Sequence, residues 1–110
     1  MKAGPLDRRV TIERAQTVQD PGSGQEVETW HGFPPVSASW RRASARETLA
    51  SAEVSAAVSD VFEIRWSPNM ADLNPKDRLI YDGRTYDIVE ATEIGRRVGI
   101  RIGAVARADQ

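Results

Sequence analysis

The sequence predicts a mainly β fold: a small antiparallel β-barrel of six or seven strands, with one inserted α-helix at about residues 45–56 and long loops. Three observations carry that prediction. Apolar residues recur at every second position in segments such as "RRVTIER", "DVFEIRW" and "VGIRIGAVA". The stretch "RLIYDGRTYDIVEA", residues 78–91, sets Asp82-Gly83 between two alternating runs. That is the pattern of a two-residue type I′ hairpin turn, whose central residues both need positive φ. One segment alone, "SARETLASAEVSAA", leaves the two-residue period for a run of helix formers. A chain of 110 residues, 40% hydrophobic and 28% charged, supports one domain with one modest core. A closed or nearly closed sheet is the economical answer, because it hides strand edges.

Taken in order, residues 1–7 contain Gly4 and Pro5, show no periodicity and read as an extended arm. Val10 and Ile12 then alternate with Arg9, Thr11 and Glu13 as a half-buried strand. Asp20-Pro21-Gly22-Ser23-Gly24 is a cluster of turn residues, expected as an exposed mobile loop or hairpin tip. "VETWHGF" resumes a strand, and Pro34-Pro35 breaks it because proline donates no ladder hydrogen bond. Val36, Ala38 and Trp40 share the next strand face. Ser44 and Glu47 have the spacing of a capping box, in which each satisfies a backbone N–H near the other. The apolar stripe of the following helix is narrow and alanine-rich, so part of its contact is expected from a neighbouring subunit. Phe62, Ile64 and Trp66 line another strand, and "SPNMADLNPKD" is a loop. "EIGRR" turns the chain into a last strand, with Gly99 and Gly103 on the face where close approach is possible. Residues 106–110 are expected to form a flexible tail.

Composition narrows function more than motifs do. A net charge of −1 gives no global attraction for nucleic acid or an anionic membrane. Without cysteine there is no disulfide or thiolate metal site. The start has no apolar signal-peptide core, and no run reaches membrane-spanning length, so a non-secreted chain without a membrane partner is expected. His31 is the single histidine and reads as surface or packing rather than a catalytic base. No nucleophile elbow, metal-ligand spacing or phosphate-cradling glycine loop occurs. The chain is therefore expected not to be an enzyme, and no cofactor or metal is expected.

Two basic clusters remain, Arg8-Arg9 and Arg41-Arg42 with Arg46, with Arg96-Arg97 as a third element. Asp7, Glu13, Glu47 and Glu53 neutralise much of this charge, which favours a solvated face or subunit ion pairs over phosphate contact. A row of exposed rings beside the cations, as single-strand binders show, is missing from the pattern.

Taken together and in order, "AGPLDRRVTIER", Trp30, "VSASWRR", Arg46-Glu47, "EIRW" and "DRLIYDGRTYDI" resemble the head–tail joining family of long-tailed phages and phage-derived gene transfer agents. These are the head-closure or stopper proteins of the neck, and the resemblance covers about residues 3 to 105. It implies a small β-barrel with an inserted helix and a virion location, assembled in a bacterial cytoplasm. It also implies a homo-oligomeric ring, hexameric or dodecameric, between a portal–adaptor stack and tail terminator or tail tube proteins. Double-stranded DNA would pass through the channel without sequence-specific binding, retained first and released later. Contacts to neighbouring subunits or the adaptor are expected from Leu6, Arg8, Arg9, Arg41, Arg42, Arg46 and Glu47. Lumen-facing or tail-facing positions are expected around residues 16–27, at Gln19, Asp20, Gly22, Ser23 and Gly24, and around residues 43–60, at Ser51, Glu53 and Ser55. Sequence leaves open which of these segments faces the lumen. The loop "SPNMADLNPK" departs from the short approach usual in the family and bears on the surface that meets the tail. The alternatives are a nucleic-acid-binding small barrel, or another neck ring such as an adaptor or tail terminator.

Overall fold

A computed structural model describes residues 6–107. Seven antiparallel strands follow one another: β1 (Arg8–Gln19), β2 (Glu26–Gly32), β3 (Val36–Arg42), β4 (Asp60–Arg65), β5 (Arg78–Tyr81), β6 (Arg84–Ile94) and β7 (Gly99–Ala106). Helix α1 (Ala45–Val54) lies between β3 and β4, and a single 3-10 turn (Pro68–Met70) precedes β5. The order along the sheet is β2-β1-β3-β4-β7-β6-β5, and a further pairing of β5 with β1 closes the sheet, leaving β2 outside the closure. The expected mainly β architecture with one helix is what the chain adopts.

β1 has two roles because, at 12 residues, it runs well past the seven-residue alternating segment "RRVTIER". Its first half closes the sheet: Arg8 to Val10 pair with β3, and Val10 to Glu13 pair with β5 on the other side. Its second half leaves the body. From Glu13 to Gln19 it pairs with β2, and β2 pairs with no other strand among the described residues. The result is a two-stranded arm, with the turn residues at its tip. Half of the segment around residues 16–27 is thus strand, and Asp20 to Gly24, read as a mobile loop or hairpin tip, form the hairpin tip.

Inside the closed sheet, Val10, Ile12, Ala38, Phe62, Ile64, Leu79, Tyr86, Ile88, Ile100, Ile102 and Ala104 form the core. Phe62 sits at its centre, with edge-to-face contacts at 5.4 Å to both Tyr81 and Tyr86. Asp82 (φ 53°) and Gly83 (φ 76°) both take the left-handed conformation that a type I′ turn demands. Val89 is the extra residue of a bulge between Ile88 and Glu90, which curls β6 over β7. Gly103 is required there: a Cβ on it would lie 2.9 Å from Glu90 Cγ and 3.1 Å from Val58 Cγ2.

Two boundaries differ from expectation. α1 ends at Val54 rather than 56, because the Ser51 hydroxyl accepts a hydrogen bond from Val58 N (2.9 Å) and draws the chain back across the helix. The C-terminal tail begins later than residue 106: Ala106 completes β7, and Arg107 N donates to Thr85 O (3.1 Å). Of the expected N-terminal arm and C-terminal tail, residues 1–5 and 108–110 lie outside the described residues. No helix is long and apolar enough to cross a membrane among the described residues.

Candidate functional site

Two features project from the closed sheet, and each leaves exposed apolar or charged groups without a partner among the described residues. The first is the β1–β2 arm. Residues 15–30 carry Asp20, Glu26 and Glu28 and no Lys or Arg. The cross-strand pair Val18 and Val27 is 49% and 45% exposed. The tip is organised by its own side chains: the Ser23 hydroxyl (2.8 Å) and Gly22 N (3.1 Å) donate to the Asp20 carboxylate, which lowers its pKa below the ordinary range. Gln19 Nε2 donates to Gly24 O, and Gly24 turns with φ 75°.

The second projection is α1 with the end of β3. Ser44 Oγ accepts from Glu47 N (3.2 Å), and Glu47 Oε1 accepts from Ser44 N (2.9 Å), so the expected capping box forms. Arg41 grips the same carboxylate with two hydrogen bonds of 2.7 and 2.8 Å. This guanidinium, and then the Ser44 amide, pull the Glu47 pKa down to about 2, while Glu47 pushes that of Arg41 up. The helix is fastened by polar links. Thr48 Oγ1 donates to Val58 O (2.8 Å), and Ser51, the only buried residue of α1, bridges Thr48 O and Val58 N. Its apolar side chains point outward, with Leu49 67% and Val54 87% exposed. An open groove of about 400 Å³ runs between Ala50 and Val54 of α1 and Val89 and Glu90 of β6.

These placements sort the residues singled out in the sequence. Arg8 is committed internally, donating to the Tyr81 hydroxyl (3.1 Å), lying over the Trp40 ring (5.6 Å) and pairing with Asp7 (3.5 Å). Among the described residues Arg9 reaches Ser37 Oγ alone (3.4 Å), and Leu6 is half-buried. Arg41 and Glu47 form one internal clamp. The guanidinium groups of Arg42 and Arg46 are exposed and have no hydrogen bond or ion pair among the described residues. Gln19, Asp20, Gly22, Ser23 and Gly24 gather at the arm tip, while Glu53 and Ser55 lie exposed on and just after α1. Ser51, expected on an exposed segment, is turned into the body. Arg97 leaves the basic group and lies over the Trp66 ring at 5.2 Å.

One cluster escaped the sequence reading. Arg14, at the base of the arm, takes both carboxylates of the loop before β5, Asp77 (3.1 Å to each oxygen) and Asp72 (3.0 Å to each). Asp77 is buried and also accepts from Asn74 N (3.2 Å). The pair raises the Arg14 pKa, and Arg14 lowers that of Asp72. Nothing local in "SPNMADLNPKD" marks Asp77 as inward, and its partner lies 63 residues away. Among the described residues no His, Cys, Asp or Glu group has metal-binding geometry, and His31 is exposed, edge-on to Phe33 at 5.5 Å.

The described part of the chain is thus a closed sheet bearing two outward projections, with no metal-binding cluster among the described residues. A family model for phage head completion proteins matches residues 1–106, and the chain belongs to that family. It is a structural head–tail component of a phage or phage-like virion, and the family is not one of enzymes. The solution structure of a protein from Shigella flexneri 2a is similar over 100% of both chains, with TM-score 0.81 and 24% identity. A chain in the virion of a native gene transfer agent particle is similar over 93% of this chain and 94% of its own, with TM-score 0.57 and 19% identity. Both share the fold. No curated protein matches the chain.

Proposed function

We propose that the chain acts as a stopper, or head-closure, protein. Its 110 residues serve as one domain, and identical copies stand in a hexameric or dodecameric ring at the head–tail junction. The ring joins the portal–adaptor complex on one side to tail terminator or tail tube proteins on the other. It retains packaged double-stranded DNA and later lets it pass. Family membership over residues 1–106 carries this reading. The physical support is that the arm and α1 hold apolar and charged groups left exposed by the rest of the described residues. A net charge of −1 suits a channel that must release DNA, since tight phosphate contacts would oppose ejection. The gene transfer agent virion chain of similar fold is consistent with a place in a particle of that kind.

Imaging the neck of particles made with and without this chain tests the proposal. A ring at the neck is expected with it; without it, filled heads should leak DNA and fail to join tails. Particles that keep their DNA and tails in its absence would overturn the reading. Arg42 and Arg46, which no described residue pairs, favour one rival, a small barrel that binds nucleic acid. That rival predicts salt-dependent binding of DNA by the isolated chain in a filter assay, whereas a stopper should bind it weakly even at low salt.

A further inference from the structure

We infer that the acidic β1–β2 arm of one copy seats on the basic α1 corner of the next, with Glu26 and Glu28 facing Arg42 and Arg46. The inference rests on the ring reading and specifies which surfaces of adjacent copies meet.

Topology places the two surfaces where they cannot meet within one chain. β3 runs antiparallel to β1, with Val36 opposite Val10 and Ala38 opposite Arg8. Trp40 to Arg42 therefore lie beyond the N-terminal end of β1, and α1 follows from there. The arm extends from the other end of β1. About six residues of paired strand beyond the body give it a reach of roughly 20 Å, on a molecule 49 Å long. A contact between opposite ends of identical molecules is heterologous, and it closes into a ring when the rotation per copy divides the circle.

Charge then selects the partner. Glu26 lies opposite Gln19 and Glu28 opposite Thr17, so strand alternation puts both acids on one arm face, with Ala15 and Trp30. Lys76 lines the groove at the base of this arm together with Glu28 but forms no ion pair with it. At the other end, residues 41–46 hold three arginines and no acid, and among the described residues only Arg41 has an internal ion pair. On α1, Arg46 and Leu49 are spaced to share the face turned away from Thr48 and Ser51, which tie the helix to the body. The N-terminal end of α1 adds its own positive dipole beside Arg42 and Arg46.

The test compares Glu26→Lys with Glu28→Lys, Arg42→Glu with Arg46→Glu, and all four changes in one chain, each scored by its amount in purified particles. Each pair alone should lower incorporation by about tenfold or more, because like charges then face each other. The fourfold variant restores opposite charges and should return most of the incorporation. Failure of the fourfold variant to recover, with melting curves unchanged, overturns the contact. The natural chain has no cysteine, so Glu28→Cys with Arg46→Cys in one chain provides a second measurement, free of charge reversal. Oxidised particles should yield a ladder of disulfide-linked oligomers, and absence of the ladder overturns the contact. If the unaltered chain forms no ring at the neck, the ring reading itself fails. A ring without rescue or ladder removes only the arm-to-corner contact.

Discussion

Glu47 carries two duties with one carboxylate, closing the capping box on Ser44 and holding Arg41. Replacing it with alanine should cost about 1–2 kcal/mol in chemical denaturation, mostly through the lost cap, since the ion pair is partly exposed. Its lowered pKa sets the sign of a pH effect. The folded value is about 2 and the ordinary value 4.5, so the contribution is complete above about pH 4.5 and is lost as pH falls toward 2. Glu47→Gln should therefore flatten part of the acid-induced loss in that window, measured as denaturation midpoint against pH. An identical acid profile for both chains would contradict the assignment. Gly103 makes a second residue-scale argument. Gly103→Ala forces a Cβ onto Glu90 Cγ and Val58 and should cost about 1–3 kcal/mol. Adding Glu90→Ala should recover part of it, because one of the two obstacles is then removed. If the two changes are simply additive, the proposed crowding is not the cause.

Among the elements, the arm depends on its base. Arg14→Ala leaves Asp77 a buried carboxylate with only the Asn74 amide named above as donor, and should cost about 2–3 kcal/mol. Amide exchange should rise in residues 70–77 and in the arm together, since one guanidinium joins them; a rise in the loop alone would show that the arm does not use this anchor. The strands were legible wherever one face is buried, as in Val10–Ile12, Phe62–Ile64 and Ile100–Ile102. The Asp82-Gly83 turn and the Ser44–Glu47 cap were legible because local sequence alone fixes them. The second half of β1, "AQTVQ", was not: both its faces are exposed in the arm, so apolar alternation has nothing to record. The early end of α1 depends on Ser51 meeting Val58, and the Arg14 cluster on strand register, neither of which a local window contains. Of the candidate interface, the residue types were readable. Which arginines are spent internally was not, because that depends on Tyr81, Trp40 and Glu47 arriving beside them.

For the whole molecule, closure means that β1 and β3 to β7 share one hydrogen-bonded sheet around a central cluster, with β2 joined to it through β1. Unfolding should then be one cooperative transition, with tryptophan fluorescence and far-ultraviolet circular dichroism tracing the same curve. Ile12→Ala, at the strand that closes the sheet, should lower stability by about 2–5 kcal/mol and shift both probes equally. Separate transitions would mean that the arm or α1 region unfolds independently of the closed body.

β1 belongs at once to the closed sheet and to the arm. A pull on the tip runs along this strand, across ladders whose hydrogen bonds lie perpendicular to it. Tension therefore loads the bonds to β3 and β5 in shear, many at a time, instead of peeling them singly. A chain held by the tip of this arm should therefore resist mechanical extension from that end more strongly than one gripped where its strands can be peeled singly.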